Sequence, residues 1–477
     1  MTRKLERREF LKASMAAGAL PLIGPRVFAA DSAVKPIPII SPGCRGTKVR
    51  VAKIYMGIPK AMWPTPLMDL NDEVKRYEAQ FAGMKKEFAD VEFVCGELAT
   101  SPEKVKELAG KLAGADGILV IHLSMGATPI LMEILKAEKP TVLFAAPYSG
   151  HEWTGFGAIR KRKEGALLEC MLTSDYKQLA VAVRPFRAIH HMREAKILNV
   201  TARQLDPSYV GRIKNNFGTE IKRIERQQVL DAYKTISDAA AKAETRRLIR
   251  GAAKVVEPNE DEILRSCKLA LAFQKLVDEE KATVITVDCY GTMYRQLPAF
   301  PCVGLTRLDD MGLGGICESD LRCAVTHVLL QGLSGKPAFV SDPTVDESKK
   351  SIILAHCRCA TKMDGPEGEA APYKLRTIHE RQEGCVTQVK MRQGQKVTQA
   401  ILEGTAPLLY FTGEVIEVPD VDRGCRSKIN VRVDGDIQKL WLNWSHGLHR
   451  QTVYGDVTAD LARFCRFKGI EMINEAV

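Results

Sequence analysis

"GGICESDLRCAVTHVLLQGLSGKPAFVSD" occupies residues 314–342 and sets an acid on each side of a helix. The short apolar "GGIC" reads as a strand that runs into Glu318. Ser319 and Asp320 then open a helix, as cap and first-turn acid. Leu321, Val325, Val328 and Leu329 form its apolar stripe, and Gly332 and Gly335 stop it. "PAFVS" is the next strand, and Asp342 follows it. Strand, helix and strand in this order predict a crossover between two parallel strands of one sheet. Glu318 and Asp342 then share the carboxyl edge of that sheet, where open α/β sheets bind ligands. Neighbouring strands lie roughly 4.8 Å apart. Two carboxylates at that spacing repel, and a divalent cation removes the conflict by taking an oxygen from each. Oxygen ligands suit Mg2+ or Mn2+, and an added imidazole turns the choice toward Mn2+. Taken singly, Glu318 is also an ordinary helix-start acid, and Asp342 before Pro343 an ordinary turn former.

Upstream of this stretch the pattern alternates. "KVRVAKIYMG", "DVEFVCG", "GILVIHLS" and "PTVLFAAP" read as strands, the last two as fully buried ones. Between them, "DLNDEVKRYEAQFAGMKKEF" and "SPEKVKELAGKLAGA" have helical spacing, the second with a serine cap and proline at its first position. The β-α-β-α order predicts a parallel sheet covered on both faces, a first α/β domain over residues 48–187. A second such domain is expected over 188–345. "GALLECMLTSDYKQLAVAVRPFRAI" reads as a helix leading into it, "AKILNVTA" and "ATVITVDCY" as its strands, and 224–250 and 259–280 as charged helical tracts. From about 373 to 442, short strands separated by turns take over, which predicts a small antiparallel barrel or sandwich within residues 346–477. The fold class is therefore α/β, with two flavodoxin- or Rossmann-like parallel-sheet domains followed by a barrel-like β domain.

The beginning of the chain has a different character. Residues 1–30 combine a basic start, an apolar middle and a small-residue end around Ala29, the layout of a signal peptide. Arg7-Arg8-Glu9-Phe10-Leu11-Lys12 resembles the twin-arginine export motif, with Glu6 where Ser or Thr is usual, which predicts a periplasmic or otherwise exported protein and the export machinery as a partner. Residues 31–47 are a proline-rich linker. Removing residues 1–29, with six Lys/Arg and two Asp/Glu, lowers the net charge from +11 to +7. The remaining basic residues are interleaved with acidic ones, so no nucleic-acid patch is expected. No apolar run reaches the roughly 18 residues that span a bilayer, so no stable membrane insertion is expected after cleavage. Thirteen scattered cysteines in a chain of 477 residues do not form a disulfide framework. Cys357 and Cys359 in "AHCRCATK" are either soft-metal ligands or buried thiols.

A metal held by two carboxylates invites a histidine. The tail "WLNWSHGLHRQTVYGD" supplies His446 and His449 beside Trp444, and His356 ends the apolar run "SIILA". The Glu-x-Asp at 318–320, the "GLSGKPAFVSD" ending at Asp342, and "NWSHGLHRQTVYGDVTADL" together resemble the L-fucose isomerase family, whose fold is shared with L-arabinose isomerase. The likeness is best over about 310–360 and 441–470. It implies Mn2+ bound by Glu318, by Asp342 24 positions later, and by a histidine six residues before a glycine, which selects His449 with Gly455. It also implies that Glu318 and Asp342 carry a proton between C1 and C2 of an open-chain sugar through a cis-enediol, and that the protein is a homo-oligomer. The expected function is a metal-dependent aldose–ketose isomerase. A non-catalytic periplasmic carbohydrate-binding protein and an epimerase or lyase of the same chemistry are the alternatives. Asp320 reads as a supporting acid behind the ligands.

Overall fold

The computed structural model describes residues 37–477. The leader expected over residues 1–30, and the first residues of the linker, lie outside the described residues. The chain divides into two compact units. One consists of Gly46–His191 with Val457–Glu471. The other consists of the segment ending at Arg45, Met192–Asp456 and Met472–Val477. Residues 188–345 and 346–477 thus contribute mainly to one unit. Among the described residues no helix is long and apolar enough to cross a membrane.

In the first unit, β1 (Val49–Met56), β2 (Val91–Ala99), β3 (Gly117–His122), β4 (Thr141–Ala145) and β5 (Leu168–Leu172) form one sheet in the order β2-β1-β3-β4-β5. Every pairing is parallel. β3 and β4 are buried along their whole length because helices cover both faces. Ile54, Val120 and Leu143 pack in one apolar cluster, and Val51, Leu119 and Phe144 in the other. β5 corrects the expectation of a continuous helix from Gly165. "LECML" is a short apolar run, and such runs carry no period that separates strand from helix. The helix Thr458–Lys468 completes this unit, with Phe467 stacked on Phe186 at 6.0 Å between ring centroids. Asp460 pairs with Arg184 at 2.9 Å.

The second unit holds a parallel sheet and a barrel. β6 (Lys196–Val200), β7 (Glu220–Ile224), β9 (Val284–Val287) and β10 (Gly314–Cys317) are ordered β10-β9-β6-β7, all parallel; the short β8 (Lys254–Val255) lies elsewhere. The tract 224–250 is two helices, Arg226–Thr235 and Asp238–Gly251, the second capped by the Ser237 side chain. The helix after β10 spans Leu321–Ser334. Its N-cap is Asp320, whose carboxylate accepts from the Cys323 N–H, so Asp320 caps where Ser319 was expected to. Gly332 lies inside the helix, and Gly335, at φ +70, ends it.

The strand after that helix, β11 (Phe339–Asp346), corrects the crossover. It does not pair with β10. It runs antiparallel between β12 (Ser351–His356) and β18 (Arg450–Tyr454). β13 (Tyr373–Ile378) and β14 (Glu383–Val389) join β8 in a separate three-stranded sheet. β15 (Lys396–Leu402), β16 (Leu408–Glu417) and β17 (Ser427–Val433) continue the barrel, which closes in the ring β15-β18-β11-β12-β17-β16. β19 (Met472–Asn474) adds to β16 in parallel. A helix between two strands returns to the same sheet or passes to another. Here Leu321–Ser334 bridges: it packs on β9 and β10 and also on β15 and β18. Thr326 Oγ1 accepts from the Leu402 N–H at 2.9 Å, and the Cys323 carbonyl accepts from Gln451 at 3.0 Å.

Candidate metal and active site

Glu318 leaves β10 in an unusual conformation. It and Ser319 both have left-handed backbones, at φ +60 and +59. Neither is glycine, and each such residue costs about 1–3 kcal/mol unless its surroundings impose it. The Ser319 N–H donates to the Val287 carbonyl at 3.1 Å, and its hydroxyl bonds Asn199 on β6. These bonds hold the turn and aim Glu318 away from the sheet edge.

Asp342 reaches the same place from the barrel. Ser341 is in register with Arg450, so extending that register by one residue sets Asp342 opposite His449. His449 Nε2 lies 3.2 Å from Asp342 Oδ1 and 3.8 Å from Glu318 Oε2. On its other side, His449 Nδ1 is 3.3 Å from Asp320 Oδ2. Asp342 also pairs with Ala355, which brings the neighbouring His356 alongside. His356 Nε2 is 3.7 Å from Glu318 Oε1, and the two imidazoles lie 5.4 Å apart. Glu318, His356 and His449 each place a ligand atom within 4.8 Å of the others.

The electrostatics separate the three acids. Burial lifts the Glu318 carboxyl above its ordinary range, Asp342, Asp320 and Asp288 add to the rise, and His449 opposes it. Burial also acts on Asp342, but His449 and His356 outweigh it and hold the group below the ordinary value. Asp320 is likewise low, since His449 and the Cys323 N–H outweigh its burial. His449 is pushed up to about 10; burial works against this, and the close contacts and charges of Asp320, Asp342 and Glu318 prevail.

The structure therefore brings together Glu318, Asp342 and His449, with Asp320 behind the histidine and His356 beside it. His446 and Trp444 stay outside the cluster. The His446 carbonyl accepts from Arg322 at 2.9 Å, and Trp444 donates to the Gly447 carbonyl and stacks on the Arg450 guanidinium, 4.0 Å from the ring centroid. Sequence reasoning missed Arg322, which pairs with Glu403 at 2.9 Å, and Tyr209, whose buried hydroxyl has no hydrogen-bond partner and whose titration feels Asp320. Arg322 stands two residues after Asp320 in the opening stretch and was open to notice. Tyr209 sits more than 100 residues upstream with no local signal.

Three buried atoms converge on the cluster without a hydrogen bond: Asp342 Oδ1, His449 Nε2 and His356 Nε2. Carboxylate and imidazole lone pairs gathered in this way fit a divalent cation of the Mn2+ type. The Asp320–His449 contact is the outer support that metal-binding histidines usually have.

No protein-family model matches the chain. It is similar to the sulfoquinovose isomerase of Alkalicoccus urumqiensis, at 21% identity over 305 residues, covering 60% of this chain and 67% of that protein. It is also similar to the sulfoquinovose isomerase of Priestia aryabhattai, at 23% identity over 45% of this chain and 48% of that one. A third, from Clostridium sp. (strain MSTE9), is 22% identical over 52% of this chain and 56% of its own length. The matched stretches thus span from about half to about two thirds of these relatives. They support an isomerase, with the substrate left open.

Proposed function

We propose that this chain is an aldose–ketose isomerase acting on an open-chain sugar and dependent on a divalent cation such as Mn2+. The observation that carries the reading is the meeting of Glu318, Asp342 and His449, two of them on barrel segments and one at the parallel sheet, with Nε2 and Oδ1 atoms left without hydrogen bonds. Glu318, Asp342 and His449 would hold the cation, which as a Lewis acid would favour charge building up on the sugar oxygens. His449 is kept in place by Asp320. Glu318, with its raised pKa, is suited to take the C2 proton of the aldose and return it to C1. As the C2 proton leaves, the C1 carbonyl oxygen takes a proton from water, giving the cis-enediol. As C1 is protonated, the C2 hydroxyl returns its proton to water, leaving the ketose, so one proton passes from O2 to O1 overall. Asp342, held below the ordinary carboxylate range, stays ionised throughout as a ligand. Sulfoquinovose, the substrate in the relatives' name, joins fucose- and arabinose-like aldoses as the class to try first.

The test is solvent-deuterium exchange at C2 across that panel, with and without Mn2+. Exchange that needs Mn2+ and vanishes in Glu318→Gln is expected. No exchange with any sugar, together with retained sugar binding, would make this a carbohydrate-binding protein. The proposal includes export by the twin-arginine route and a homo-oligomeric state. Arg7→Lys with Arg8→Lys should hold the full-length chain in the cytoplasm on fractionation, and sedimentation reads the oligomer directly.

A further inference from the structure

Behind the carboxylate site lies a second convergence of ligand atoms, of a different chemistry. Cys317 ends β10, Cys357 follows β12, and Cys302 opens the helix Cys302–Asp310. All three are buried, as is His356. One ligand atom from each of Cys317, His356 and Cys357 lies within 4.8 Å of the other two. Cys357 Sγ is 3.3 Å from His356 Nδ1, and Cys302 Sγ is 3.8 Å from Cys357 Sγ. Zn2+ held at roughly 2.3 Å from sulfur and 2.0 Å from nitrogen, with tetrahedral angles, has S–S edges of about 3.8 Å and S–N edges of about 3.5 Å. The Cys357–His356 edge observed is close to the second of these.

Buried thiols often serve only as small apolar side chains. Cys359, two residues on, does so in the cluster with Cys267 and Met363, and Cys302, Cys317 and Cys357 also border an apolar cluster. The Cys317–Cys357 group differs because polar side chains are aimed at it. His356 turns Nδ1 onto a sulfur, although its ring is 1% exposed. Arg358, also 1% exposed, gives Nη1 to Asp309 but has no hydrogen-bond partner for Nε or Nη2. An apolar core has no use for a half-satisfied guanidinium, whereas a thiolate-metal centre does.

We propose that Cys317, Cys357 and His356 Nδ1 form a site for a soft divalent cation of the Zn2+ type, separate from the carboxylate site, with Cys302 beside Cys357 at its margin. The site uses one face of the His356 ring. With Nδ1 committed to the cation, the ring hydrogen sits on Nε2, which faces Glu318 Oε1 at 3.7 Å. His356 is then a donor to Glu318 and not a ligand beside it, and it positions that carboxylate.

The full chain, reduced and stripped with a chelator, is titrated with Co2+ alone, without sugar. One equivalent is expected to give the near-ultraviolet thiolate-to-cobalt band and the intense visible absorption of a tetrahedral site. Zn2+ should erase both and Mn2+ neither. Cys317→Ser and Cys357→Ser should lose the band, and Cys359→Ser should keep it. X-ray absorption of the Zn2+-loaded wild type, which depends on no variant, should show at least two sulfur neighbours. Absence of the thiolate band in the reduced wild type, its survival in Cys317→Ser, or a zinc shell of oxygen and nitrogen only would overturn the site. Because no sugar enters these measurements, their failure leaves the isomerase reading standing, and the failure of sugar exchange leaves this site standing.

Discussion

His449 is held from both sides, by Asp320 at Nδ1 and by Asp342 and Glu318 at Nε2. Asp320→Asn separates the two duties of Asp320. Asparagine caps a helix about as well as aspartate, so stability should change little. The lost carboxylate should weaken Mn2+ binding about 10–100-fold, read by titration of the free Mn2+ signal in electron paramagnetic resonance. His327 tests burial away from the site. It lies inside the helix Leu321–Ser334, fully buried, and burial with the nearby Arg358 charge lowers its pKa to about 3. The unfolded chain takes up that proton near pH 6.5 and the folded one does not, so stability is whole above about 6.5 and falls as pH drops toward 3. At pH 5 the loss is about 2 kcal/mol. His327→Leu should shrink the difference in urea midpoint between pH 7 and pH 5. At this scale the sequence was informative where chemistry is crowded: Glu318, Asp320, Asp342 and His449 stand in two short stretches with family-like spacing. His356 was only one of several histidines, because its neighbours arrive from β10 and β18, far away in the chain.

The strand β10 and the helix before it illustrate what a backbone contact demands. A Cβ on Gly315 would stand 2.3 Å from the Leu305 carbonyl oxygen. Gly315→Ala should therefore cost about 1–3 kcal/mol and shift Cys317 and Glu318 with the strand. Gly335→Ala meets nothing within 4 Å, and should cost only the roughly 1 kcal/mol of a left-handed alanine. Equilibrium urea unfolding of both variants checks the contrast. The helix Leu321–Ser334 was legible because cap, apolar stripe and terminal glycine are all local. The partner of β11 was not. Pairing to β12 and β18 is a long-range choice, and the segment before Asp342 looks the same whether its neighbour is parallel or antiparallel. The chemistry survived the error because both arrangements bring Asp342 toward Glu318.

Seen whole, the chain returns to the barrel after contributing a helix to the other unit, and Glu475 arrives with that return. Glu475 bonds Arg450 with both carboxylate oxygens, and each side chain is 1% exposed. Glu475→Ala leaves a buried guanidinium without its charge partner, a loss of about 3–5 kcal/mol. A large drop in the thermal midpoint of the full chain should follow, with loss of Mn2+ binding because Arg450 adjoins His449. The α/β class and the barrel could be read from the alternation of patterns. The division of the chain between units could not, since residues 457–471 carry no mark of where they dock. The closed ring has a further consequence for tolerance to insertion and deletion. Each strand of the ring is paired on both sides, so none can slide without disturbing both neighbours, and a shift of one residue turns Asp342 to the opposite face. Length changes in the turns at residues 403–407 or 418–426 leave the register untouched. A single residue removed from Phe339–Ser341, ahead of Asp342 in β11, does not, and would silence the site while leaving every proposed ligand present in the chain.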